Sequence, residues 1–275
     1  MSSLGANYTQ TFDYTFFFDG ITALLASNVL VGLPANLYVV WLIASEAGGS
    51  LASELFALNL AVAEILCCCS SLYVAAHLLL QMPLSVGVLV LQLFLQLMLI
   101  SRPLFQTCIC LERYLAVVHP TLFIRFKPLR YRLLCCGVDW LLILTDFTFP
   151  AFAPSFELSG LLFISKSLLF LTVLSYCGVR VLLVLKQPGP GDGGRGAESW
   201  NSMKRKAFKV IVITLVFSSC TQLLQIMVMG PALLRASLQL ILQATLVGLA
   251  VSIISSFITP LLYLHRAGKL PCIEF

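Results

Sequence analysis

Apolar residues fall along this chain in seven long blocks separated by short polar stretches. The blocks cover about residues 20–44, 54–80, 86–115, 133–154, 160–185, 204–230 and 236–264. A helix rising about 1.5 Å per residue needs roughly 20 residues to cross a hydrocarbon core of about 30 Å. Every block reaches that length. The strict period-two alternation of a membrane barrel strand is absent, as is any repeat at solenoid or propeller spacing. The pattern therefore predicts an all-α membrane protein, a seven-transmembrane-helix bundle over residues 20–264. An extracellular segment (1–19) precedes it and a short cytoplasmic tail (265–275) follows. Between the fifth and sixth blocks, Gln187 to Gly196 reads QPGPGDGGRG, a flexible hinge.

Composition agrees with a bilayer as solvent. Of 275 residues, 59% are hydrophobic and only 11% are charged, whereas soluble domains carry about 25% charged residues. The net charge of +5 says less than where the charges lie. With the amino terminus outside, all Lys and Arg except Arg102, Lys166 and Arg235 fall in inner segments, 14 of 17, which fixes the orientation. The first inner loop is the exception, with Glu46 and Glu54 but no basic residue. Asn7-Tyr8-Thr9 is an N-glycosylation acceptor, and the same orientation puts it outside. The first twenty residues lack a basic start, so no cleavable signal peptide is expected. Nearly all ten cysteines sit in apolar blocks, where they read as small packing residues rather than a metal site or disulfide framework. No cofactor is expected.

One stretch carries chemistry at a membrane boundary: Leu111-Glu112-Arg113-Tyr114-Leu115-Ala116-Val117-Val118-His119-Pro120, opening onto Arg125, Lys127, Arg130 and Arg132. An acid and an arginine there are costly without a task. Glu-Arg-Tyr followed by Val-Val-His-Pro resembles the end of the third helix of rhodopsin-like G-protein-coupled receptors. Other blocks carry further likenesses in the right order. Gly32-Leu33-Pro34-Ala35-Asn36 resembles the family's first-helix signature. Leu58-Asn59-Leu60-Ala61-Val62-Ala63-Glu64 is similar to its Asn-Leu-Ala-x-x-Asp pattern, with glutamate for aspartate, and Trp140 matches the fourth-helix tryptophan. Phe217-Ser218-Ser219-Cys220 resembles half of the sixth-helix pattern, with Thr221 and Leu223 where Trp and Pro are usual. Thr259-Pro260-Leu261-Leu262-Tyr263 resembles Asn-Pro-x-x-Tyr, with Thr259 for Asn. Within the family the pattern is nearest to fish receptors of the purinergic-like branch.

The resemblance implies a plasma-membrane receptor that passes an extracellular ligand signal to a heterotrimeric G protein. Its switch would comprise Glu112, Arg113, Tyr114, Tyr176, Tyr263 and Pro260: Glu112 holds Arg113 at rest, and the tyrosines support the arginine on activation. The family's outer disulfide has no counterpart, since neither Met82 to Val90 nor Phe152 to Gly160 holds a cysteine. Where the family often has an acid at the base of the sixth helix, Met203-Lys204-Arg205-Lys206 stands, which predicts appreciable basal activity.

Two charges fall inside the membrane. Arg102 lies eleven residues before Arg113, roughly 16 Å deeper along a helix, and Glu64 lies at matching depth in the second block. The expected resolution is an ion pair, with Ser255, Ser256 and Thr259 adding hydrogen bonds and Asn36 completing the polar core. By the resemblance, the guanidinium would take the place of a sodium ion. Candidate ligand contacts are Gln92, Gln96, Lys166, Gln222, Gln225 and Arg235, with Asp146 and His77 at the margin, and the two cations point to an anionic or lipid-like ligand. The basic inner loops are expected to meet membrane lipids; they lack a module for nucleic acid. Cys272 is a candidate lipidation site, and the tail LHRAGKLPCIEF offers no Ser or Thr for phosphorylation. A non-coupling partner or decoy is the alternative function. A transporter is disfavoured by the lack of an inverted hydropathy repeat and by few midplane charges beyond Glu64 and Arg102. His77, His119 and His265 are scattered, which excludes an enzyme's constellation.

Overall fold

The computed structural model describes residues 14–45, 54–80, 84–152, 155–186 and 197–266. They fold into seven long helices. The first, α1, runs as Tyr14–Ser27, a π turn Asn28–Gly32, and Leu33–Ser45. Next come α2 (Leu55–Leu80) and α3, which runs as Leu84–Gln96, a π turn Leu97–Ser101, and Arg102–Val118. A two-turn helix, Pro120–Phe126, leads to α4 (Leu129–Phe152), α5 (Phe156–Lys186), α6 (Ala197–Leu233) and α7 (Leu238–Arg266). Six of the seven are long and apolar enough to cross a membrane. The remaining one, α4, has 24 residues and carries Arg130, Arg132, Asp139 and Asp146. The expected blocks are all helical, and α1 and α3 to α6 begin a few residues before the apolar runs do. The expectations for Asn7, for the hinge at Gln187 to Gly196 and for Cys272 lie outside the described residues.

Both π turns have the same local cause. Pro34 and Pro103 each stand two residues past the end of one. A proline offers no N–H to the carbonyl four residues back, and its ring pushes against that carbonyl, so the preceding turn widens. The widened backbone is used. Asn28 in the first π turn donates from Nδ2 to Ser71 Oγ at 2.9 Å, and its carbonyl accepts from Cys68 Sγ at 3.4 Å. Gly32 brings α1 close to α2, since a Cβ there would stand 3.2 Å from Cys68 Sγ.

The third helix is the axis of the bundle. Of its membrane window 61% is buried, against 22% for α5 and α6, which face lipid over most of their surface. The main core gathers Phe94, Leu97, Met98, Ile100, Leu104 and Phe105 of α3 with Leu60, Ala63 and Cys67 of α2, Ile143 of α4, and Leu249 and Ile253 of α7. Phe105 is wholly buried, its ring centroid 5.8 Å from that of Trp140. The indole Nε1 of Trp140 in turn donates to Asn59 Oδ1 at 2.9 Å, tying α4 to α2. The outer ends of α2 and α3 meet without a disulfide: the His77 ring lies against Gly87, where a Cβ would stand 2.8 Å from the imidazole. The nine cysteines among the described residues are free thiols.

Candidate functional site

The polar core is built around Arg102, the first residue after the π turn of α3. Its Nε and Nη2 donate to Glu64 Oε1 and Oε2 at 2.7 and 3.1 Å, a two-pronged pairing across α2 and α3. Its Nη1 donates to the Ser252 carbonyl of α7 at 2.7 Å, and Ser256 Oγ donates to Glu64 Oε2 at 2.6 Å. Side-chain exposures of 4% and 3% leave this group almost no contact with solvent. A planar guanidinium suits such a place because it meets a carboxylate with two parallel bonds and still reaches a third acceptor.

Ser255 and Thr259 do not join that group, contrary to expectation. They belong to a second network one turn further in. Ser218 Oγ of α6 donates to Gln106 Oε1 of α3 at 2.8 Å, and Gln106 Nε2 reaches Thr259 Oγ1 at 3.5 Å. Thr221 Oγ1 donates to Ser255 Oγ at 3.2 Å. The reason is helical phase: Ser252, Ser256 and Ser255, Thr259 fall on adjacent faces of α7. Asn36 bonds within its own helix, from Nδ2 to the Gly32 carbonyl at 2.9 Å, and does not reach the ion pair.

Inward of the second network lies a cavity of about 430 Å³. Its wall includes Asn36, Gln106, Arg113, Ser218, Thr259, Pro260 and Tyr263, with Val210, Ile211 and Thr214 of α6 closing one side. Glu112 and Arg132 line it too, and they form an ion pair across α3 and α4. The acid expected to hold Arg113 at rest is thus engaged by α4. Tyr263 faces the cavity, whereas Tyr176 is 57% exposed on the outside of α5, its ring centroid 6.0 Å from that of Tyr114. Tyr114 Oη is also hydrogen-bonded to His119 Nε2 at 3.1 Å. The side chains of Met203-Lys204-Arg205-Lys206 lie outside the described residues.

The six candidate ligand contacts do not converge on one pocket. Gln92 Nε2 is spent on the Phe147 carbonyl of α4 at 2.6 Å. Lys166 is bonded to Asp146 of α4, and with Gln96 it lines a separate cavity. Arg235 sits at the surface in a pair with Glu157 at 2.7 Å. Gln222 and Gln225 are buried in α6, each with an Oε1 that has no partner among the described residues, and the same holds for Ser252 Oγ in α7. Among the described residues no group of three or more His, Cys, Asp or Glu side chains is placed to hold a metal ion.

Residues 35–155, from the second half of α1 to the end of α4, match the seven-transmembrane receptors of the rhodopsin family. The chain resembles that family over this stretch, which is less than half of its length. It is 28% identical over 122 residues to purinoceptor 8 of Gallus gallus, an alignment covering 43% of this chain and 34% of the relative. It is 28% identical over 134 residues to the human S-geranylgeranyl-glutathione receptor (45% and 37%) and over 126 residues to the rat proteinase-activated receptor 3 (45% and 34%). The chain thus spans about a third of the length of the curated relatives it matches. The matched stretch holds Asn36, Glu64, Arg102, Glu112-Arg113-Tyr114 and Trp140.

Sequence reasoning named Arg132 as part of a basic inner segment and Asp146 as a marginal ligand contact, but missed Asp139 and the polar face of α4 that joins the three. Arg132, Cys136, Asp139, Ile143 and Asp146 repeat at spacings of four and three, one stripe of a helix. All but Asp146 are buried. Arg132 meets Glu112, Asp139 Oδ2 accepts from Cys108 Sγ at 3.2 Å, and Asp146 meets Lys166. Charges beyond Glu64 and Arg102 are therefore present inside the bundle. The signal was the seven-residue spacing of Arg132, Asp139 and Asp146, legible in the sequence.

Proposed function

We propose that this receptor passes an extracellular ligand signal to a heterotrimeric G protein through the inner cavity around Arg113. The observation that carries the reading is the cavity's construction: a space of about 430 Å³ whose roof is a hydrogen-bond network among α3, α6 and α7. Outward movement of α6 would break the Ser218–Gln106 bond and widen the space, admitting a partner's helical tail to Arg113. Widening costs about 1 kcal/mol per neutral hydrogen bond lost, within reach of a ligand's differential affinity. The ligand would act from the outer half, where Gln222 Oε1, Gln225 Oε1 and Ser252 Oγ are buried without partners among the described residues. Unmet buried polar atoms of this kind are paired by water or by a ligand's own polar groups. The human relative is named for an amphiphile, a prenyl chain on a peptide. A lipid-like ligand for this chain fits its apolar surroundings. An anionic one has less support, because Lys166 and Arg235 are already neutralised.

The test is a reporter panel across G-protein subtypes in cells with matched surface expression. Wild type is expected to signal without ligand, and Arg113→Ala to abolish that signal. A wild-type signal no higher than that of Arg113→Ala in every subtype would favour the non-coupling partner over the receptor reading.

A further inference from the structure

A second cavity, about 250 Å³, opens among α3, α4 and α5 in the outer half of the bundle. Gln96, Thr145, Asp146, Ser159 and Lys166 give it polar groups, and Ile100, Leu162 and Phe163 give it apolar walls. It is separate from the inner cavity, and neither Gln222 nor Gln225 lines it. Thr145 and Leu162 on its rim are exposed, as are Leu141, Leu144 and Leu161 beside it. On a membrane helix that exposure is to acyl chains.

The Asp146–Lys166 pair is placed unlike the others. It lies within the span, yet its side chains are 18% and 36% exposed, so it is neither sealed in protein nor out in water. An ionisable pair at such depth is costly and marks a site by default. Each partner is under-used. The ammonium has three donors and the carboxylate about four lone-pair positions, but among the described residues each bonds only the other. The Gln96 side-chain amide has no hydrogen bond among the described residues.

We infer that this cavity is a bilayer-facing binding site for a zwitterionic amphiphile. Its cationic group is taken by Asp146, its anionic group by Lys166, with Gln96 and the Ser159 hydroxyl bonding the linking atoms. The charge class follows from the pair. A purely anionic head would draw Lys166 away and strand Asp146 in apolar surroundings, and a cationic head would strand Lys166. Breaking one side of a dehydrated pair is strongly unfavourable. A head bearing both signs inserts between them and leaves neither alone. The volume fits a head rather than a whole lipid, being below the roughly 300–1,000 Å³ of pockets that enclose drug-sized ligands. The tail would stay in the bilayer against Leu141, Leu144 and Leu161.

Three single-chain lipids of equal tail length test this on the full chain in detergent micelles: lysophosphatidylcholine, lysophosphatidic acid and sphingosine, read by thermal shift and native mass spectrometry. Only the zwitterionic lysophosphatidylcholine is expected to bind saturably. Its apparent affinity should fall at least about tenfold in the Asp146→Asn, Lys166→Gln double variant, as the loss of charge-assisted bonds implies. Ser159→Phe, which keeps the ion pair and fills the cavity, should lower it likewise. Equal or tighter binding of either singly charged lipid by wild type overturns the charge class, and needs no variant to be seen. Undiminished lysophosphatidylcholine binding by Ser159→Phe overturns the location. Neither readout involves a G protein.

Discussion

Two arginine–glutamate pairs in this protein close at the same distance, 2.7 Å, and have little else in common. Arg102–Glu64 has side-chain exposures of 4% and 3%; Arg235–Glu157 has 84% and 58%. The first sits where three helices meet, with α7 supplying a carbonyl and a hydroxyl to the group. The second lies at the outer surface, where water competes for both partners and salt screens them. Separation alone does not rank ion pairs. What ranks them is what remains when one half is removed: a hydrated charge at the surface, an unmet charge in the core.

That difference predicts the largest effect. Arg102→Leu or Glu64→Leu alone should cost about 3–5 kcal/mol, the consequence of an uncompensated buried charge, and lower both folded yield and Tm in micelles. Glu64→Leu combined with Arg102→Leu should recover more than half of the loss, because both charges leave together. Additive losses in the double variant would show that the two side chains do not act as a unit.

An intermediate case sharpens the comparison. Arg132–Glu112 has exposures of 7% and 20% and borders the inner cavity, which offers partial hydration. Glu112→Ala removes the carboxylate from Arg132 beside a hydrated cavity, so the expected loss is about 2 kcal/mol, between the buried and surface limits. Thermal denaturation of the variant beside Glu64→Leu checks the order. A loss from Glu112→Ala equal to that from Glu64→Leu would mean that cavity water gives the arginine no help.

How much of this was legible in the sequence follows from the same physics. The bundle was, because seven apolar blocks, each longer than the roughly 20 residues a span needs, leave few other structures in a bilayer. The Arg102–Glu64 pair was, because counting back from Arg113 fixes a depth and a lone midplane arginine needs a partner. Which α7 hydroxyls would reach it was not. One helical step decides whether Ser255 or Ser256 faces Glu64, and phase at that precision depends on how α7 is rotated in the bundle. The engagement of Glu112 by Arg132 was also hidden, since local sequence shows Arg113 adjacent and not the α4 face across the groove. Lys166 looked like a free cation until α4 placed Asp146 beside it.

The smallest predicted effect lies at Arg235, where two weak terms oppose. Its backbone is left-handed, φ 53°, just past the end of α6. The Ala236 N–H bonds back to the Pro231 carbonyl at 2.9 Å, a helix-ending turn that favours glycine at the position Arg235 holds. A left-handed L-residue costs roughly 1 kcal/mol relative to glycine, while an exposed pair stabilises by about 0.5 kcal/mol. Arg235→Gly removes the pair and the strain together, so Tm should rise slightly. Arg235→Ala removes the pair and keeps the strain, so Tm should fall slightly, and salt should narrow the gap between Arg235→Ala and wild type. A fall in both variants of similar size would mean that the surface pair outweighs the backbone.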